Sequence, residues 1–117
     1  MPVLVMKFGG TSVASIDRIT RAAKRVAREV ALGYDVIAIV SAMSGKTNEL
    51  AGWVNDISPL HDAREYDAVV SAGENVTAGL MALVLQEMEI PARSWQGSRS
   101  SWVRRLRSWM SAAAVAR

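Results

Sequence analysis

Two short apolar runs, Pro2 to Phe8 and Asp35 to Ser41, flank a segment of helical periodicity, and this arrangement limits the chain more than any other feature. Continuous apolar and β-branched runs of this length read as buried strands of a parallel sheet. Between them Ile16, Ile19, Ala23, Val26 and Val30 recur at helical spacing, opposite Arg18, Arg21, Lys24, Arg25 and Arg28. Ser15 and Asp17 are placed to cap the start of that helix and Gly33 to stop its end. Parallel strands require a long crossover, so residues 1–41 predict a right-handed βαβ unit.

Beyond Lys46 the segment Thr47 to Asp56 suits a helix, and Ile57-Ser58-Pro59-Leu60 breaks it. Ala63 to Glu89 holds no proline and only Gly73 and Gly79, which predicts two helices or one helix bent near Gly73. Pro91 to Trp95 opens a third strand. Half of the 117 residues are apolar and 21% are charged, and no apolar run approaches the roughly 20 residues that cross a bilayer, which points to a cytoplasmic protein with no membrane partner. With no cysteine and one histidine, His61, no metal-ligating cluster is expected.

The net charge of +3 is unevenly placed. Residues 1–97 carry nine Lys and Arg against eleven acids, whereas Arg99, Arg104, Arg105, Arg107 and Arg117 follow with no acid. Without a basic stripe interleaved with aromatics before residue 98, no nucleic-acid partner is expected. The segment 98–117 reads as a basic tail, out of frame or non-native, that should not pack on residues 1–97. The alternative is an amphipathic basic helix with Trp102, Val103, Leu106 and Trp109 roughly on one face.

Three motifs carry chemistry. Lys7-Phe8-Gly9-Gly10-Thr11-Ser12 ends the first strand just before a helix, where two glycines let backbone N–H groups approach a phosphate and Lys7 supplies a positive charge. The same residues would also serve as a plain structural turn. Ser41 to Asn48 contains Gly45-Lys46-Thr47, but a P-loop needs a glycine where Val40 stands, so what remains is a hydroxyl-rich loop able to hold a polar acceptor. Ser44 or Thr47 could instead cap the next helix. In Ser71-Ala72-Gly73-Glu74-Asn75 the carboxylate of Glu74 sits among apolar neighbours, able either to face a cleft and bind an ammonium group or to lie on a solvated face.

Taken in this order, the three motifs resemble the aspartate kinase pattern, from Met1 to about Gly97, supported by Ala63-Arg64-Glu65-Tyr66-Asp67, Thr77-Ala78-Gly79-Leu80 and Pro91-Ala92-Arg93-Ser94-Trp95. The resemblance implies an α/β fold, the N-terminal portion of the three-layer αβα amino-acid-kinase sandwich with a mainly parallel sheet, occupying residues 1–97. It implies ATP as co-substrate with Mg2+, L-aspartate as acceptor, 4-phospho-L-aspartate as product on the way to lysine, threonine and methionine, and a homo-oligomer in the intact family. It makes Lys7 the catalytic, phosphoryl-stabilising lysine, with Phe8, Gly9 and Gly10 in the ATP phosphate loop. Ser41, Thr47 and Glu74 become substrate contacts. The family continues past this chain with most of its adenine and magnesium site, so the isolated chain is expected to be inactive. A different amino-acid kinase and a non-catalytic interaction fragment are the alternatives.

Overall fold

The computed structural model describes residues 2–60, 62–96 and 112–117. Strand β1 (Val3–Phe8) leads through a 3-10 turn (Gly10–Val13) into α1 (Ile16–Ala31) and then β2 (Asp35–Val40). The two strands pair in parallel, from Val3 opposite Asp35 to Phe8 opposite Val40, which is the expected βαβ unit. Ser15 caps α1 by accepting a hydrogen bond from the Arg18 N–H. Gly33, at φ +100°, ends it: its N–H donates to the Val30 carbonyl, and that of Tyr34 to Glu29, the paired bonds of a Schellman cap.

Helix α2 (Lys46–Ile57) is followed by α3 (Ala63–Glu87), then β3 (Ala92–Gln96) and β4 (Ala112–Ala116). The segment from Ala63 is one continuous helix rather than two. Gly73 is buried inside it, and its carbonyl accepts from the Thr77 hydroxyl at 3.1 Å, so the glycine serves close packing. By length and composition α3 could cross a membrane, yet Thr77, Ala78, Met81, Ala82 and Leu85 are buried against the rest of the fold. A second Schellman cap closes it, with Glu89 at φ +61° in the position that usually holds glycine.

The sheet order is β1-β2-β4-β3, with β4 antiparallel to both neighbours, so β1, β2 and β3 point the same way. The expectation that the segment after Gly97 stays off the fold is corrected for its last residues. Ala113, Ala114 and Ala116 are at most 1% exposed between β2 and β3. Ala114 and Ala116 join the core on the face covered by the helices. Trp102, Val103, Leu106 and Trp109, like His61, lie outside the described residues.

Helices α1 and α3 pack together on one face of the sheet. Phe8, Val36, Ala38, Val40, Ala92, Ala114 and Ala116 meet Ile19, Ala22, Ala23 and Val26 of α1 and Ala78, Met81, Ala82 and Leu85 of α3. Ile16, at the first turn of α1, is 55% exposed despite its helical spacing. On the opposite face Val3 and Val5 are more than half exposed, so among the described residues α1 and α3 cover one face of the sheet at β1. β1 therefore alternates between open residues and partly or fully buried ones, although its sequence is apolar apart from Lys7.

Candidate functional site

The loops that leave the carboxyl ends of β1 and β2 lie against each other. The Ser41 N–H donates to the Phe8 carbonyl at 3.3 Å, extending the strand pairing into the loops. A side chain on Gly10 would meet the Ala42 carbonyl oxygen at 3.0 Å, so only glycine lets the first loop come this close to the second. Gly45 takes φ +83° to start α2 and makes no side-chain cap, which displaces Ser44 and Thr47 from the capping role. The first turn of α2 is closed by the Glu49 N–H donating to Gly45 and by a Lys46–Glu49 ion pair at 3.0 Å on the surface.

Helix α3 brings the third motif to the same point. A side chain on Gly73 would meet the Ala42 methyl at 3.0 Å and Leu50 and Lys46 at 3.3 Å. Ala42 is thus a hub, with its carbonyl against Gly10 and its methyl against Gly73. Its small size is the signal that sequence reasoning missed, because an alanine in a loop carries no chemistry of its own. Arg18 is a second such residue: its guanidinium donates to the Thr11 carbonyl at 2.9 Å and ties the glycine loop to α1.

Of the predicted site residues, Lys7 is exposed at the end of β1, Phe8 is buried beneath the loop, and Gly9 opens the 3-10 turn, where the Ser12 N–H donates back to its carbonyl at 3.0 Å. Ser41 is partly buried, Thr47 is exposed on the first turn of α2, and Glu74 is half-buried beside Gly73. Partial burial raises the Glu74 carboxyl above the ordinary carboxylate range, because desolvation disfavours its charge. The next residue, Asn75, buries its Oδ1 with no hydrogen-bond partner among the described residues.

A phosphate group suits this arrangement at one end. Gly9 has open space beside it, Lys7 is an exposed cation near the strand terminus, and no acid of the described residues pairs with Lys7. For a magnesium ion, the described residues hold no cluster of three or more acidic or imidazole ligands. A cavity of about 480 Å3 between Pro91, Arg93, Val115 and Arg117 lies at the far end of the sheet and contains none of the motif residues.

The family model described as the amino acid kinase family matches residues 2–114, past the point where the motif resemblance ends. An aspartokinase of Rickettsia felis is 48% identical over 102 residues, 82% of this chain and 25% of its own length. The crystal structure of aspartate kinase from Synechocystis is 41% identical at a TM-score of 0.79, covering 83% of this chain and 17% of that one. E. coli aspartokinase III in complex with aspartate and ADP (R-state) has a TM-score of 0.59 at 21% identity, a likeness of fold. The chain spans about 25% of the length of the first curated relative it matches.

Proposed function

Since the chain belongs to the amino acid kinase family, we propose that it is the N-terminal, phosphoryl-handling part of an aspartate kinase, which moves the terminal phosphoryl group of ATP to the side-chain carboxylate of L-aspartate. One observation carries this reading: three motifs far apart in sequence meet at Ala42. In phosphoryl transfer the protein mainly positions groups and neutralises charge, so a rigid junction of this kind is what the chemistry requires.

In this reading the backbone from Phe8 to Gly10 holds the nucleotide phosphates, and Lys7 lies against the oxygens that gain charge as the phosphoryl group moves. Ser41 and Thr47 orient the acceptor carboxylate by hydrogen bonding. Glu74 binds the substrate ammonium, and that pairing would offset the burial that now raises its pKa. Magnesium, when bound with the nucleotide, would screen the phosphate charges. The described residues supply no cage for it, so its remaining ligands would come from the nucleotide and from elsewhere in a longer protein. The pathway to lysine, threonine and methionine, a cytoplasmic location and a homo-oligomer follow from the same reading.

The isolated chain is expected to show no aspartate-dependent release of ADP. A hybrid in which residues 1–96 replace the matching segment of the Rickettsia felis aspartokinase is expected to restore it. A folded hybrid that binds aspartate and ATP but never turns over would refute the assignment. Turnover by the isolated chain would refute its dependence on the missing part.

A further inference from the structure

On the helix side of β1 lies a second, differently built site. A cavity of about 270 Å3 is lined by Phe8, Ser12, Arg18, Arg21, Ala22 and Arg25. The three arginines stand at i, i+3 and i+7 of α1, one stripe of the helix surface. Arg18 is fixed by its bond to the Thr11 carbonyl, whereas Arg21 and Arg25 have no hydrogen-bond or ionic partner among the described residues. The acids of α1, Asp17 and Glu29, form no ion pair with them. Like charges three and four residues apart disfavour a helix, so the stripe carries a repulsion that a bound anion would relieve.

We propose that this cavity binds a small phosphorylated molecule with two or more negative charges. Guanidinium groups match phosphate oxygens with paired N–H donors, and three of them around one concavity favour a compact dianion over a single carboxylate. The Ser12 hydroxyl adds a neutral partner, and Phe8 and Ala22 give an apolar floor. The site is distinct from the catalytic lysine. Successive side chains leave opposite faces of a strand, so Phe8 points into this cavity's side of the sheet and Lys7 away from it. A concave pocket also fits a small ligand better than a nucleic-acid strand, which asks for an extended basic groove with stacking aromatics. The proposal does not depend on the kinase reading, because binding alone tests it.

The test is calorimetric titration of the 117-residue chain with inorganic pyrophosphate at low salt. The wild-type chain is expected to bind one equivalent, and the R21A/R25A double variant to bind at least about tenfold more weakly, as expected on losing charge-assisted hydrogen bonds. R21K/R25K should recover part of the loss, and far-UV circular dichroism checks that each variant folds. K24A, which removes a cation of the same helix that does not line the cavity, should keep its affinity within about twofold, the size of a remote surface change. Equal affinity in R21A/R25A, or no binding by the wild type, overturns the proposal. A loss in K24A as large as that in R21A/R25A would assign the binding to the charge of the helix as a whole and overturns it too, as does displacement of pyrophosphate by equimolar single-stranded oligonucleotide.

Discussion

Removing residues 112–117 tests whether the last described strand belongs to the fold. Ala113, Ala114 and Ala116 are at most 1% exposed, and their three methyl groups at about 0.8 kcal/mol each account for about 2.5 kcal/mol. Without β4, the pairings to Val36–Ile39 and to Ala92–Gln96 also disappear, and β3 loses its sole neighbour among the described strands. A loss of about 3–5 kcal/mol is therefore expected, a large part of the roughly 5–15 kcal/mol that holds a typical domain. At about 4 °C per kcal/mol for a domain near this size, the melting temperature followed by circular dichroism should fall by more than about 10 °C. Ala114→Asp should do comparable damage by placing a carboxylate without a partner in the core. If the truncated chain melts within about 0.5 kcal/mol of the intact one, the strand contributes nothing and the reasoning fails.

Further expectations follow from single positions. In the active hybrid, Lys7→Ala should lower kcat by about 3–4 kcal/mol of barrier while aspartate binding is kept, and unchanged turnover would remove Lys7 from the chemistry. Gly10→Ala should destabilise the isolated chain by about 1–3 kcal/mol in denaturant melts, because the atom it strikes is a backbone oxygen with little room to move. Glu89→Gly should raise stability by about 0.5–1 kcal/mol, since a non-glycine residue at φ +61° is strained; a loss on the same melt would show that the side chain matters. For Glu74, burial raises the folded-state pKa, so the folded state holds the proton more tightly than the unfolded one. Its contribution to stability is full below the unfolded carboxylate pKa and is lost as pH rises through the raised value. Glu74→Gln should therefore be stabilising at neutral pH, with the gain vanishing in acid. A gain independent of pH would discount the burial argument.

Much of the first half was legible because each local signal agreed with the next. The spacing of Ile19, Ala23 and Val26, the Ser15 cap and the Gly33 stop all pointed to α1, and the helix holds all of them. The misses have a common physical cause, which is packing between segments distant in sequence. Gly73 looked like a bend, but it exists because Ala42 and Leu50 press on the helix there. Ala113, Ala114 and Ala116 are of the residue type with the highest helix propensity, yet they form strand, buried between two neighbouring strands. The three motifs could be read singly, but their meeting at Ala42 could not, because close approach leaves no periodic trace in a sequence.

The place of β4 also sets an order of events. It comes last among the described strands yet lies between two earlier ones, so β3 cannot join the sheet when it is made. β1 with β2, and β3 with β4, can each pair from nearby residues, whereas β2 meets β4 only across the length of α2 and α3, so the core under α3 closes when residues 112–116 arrive. Pairings of such long sequence separation fold slowly, because loop closure must precede any gain from contact. During synthesis the open edge of β2 would stay unpaired, and it is there that a chaperone or a second nascent chain would find the molecule vulnerable.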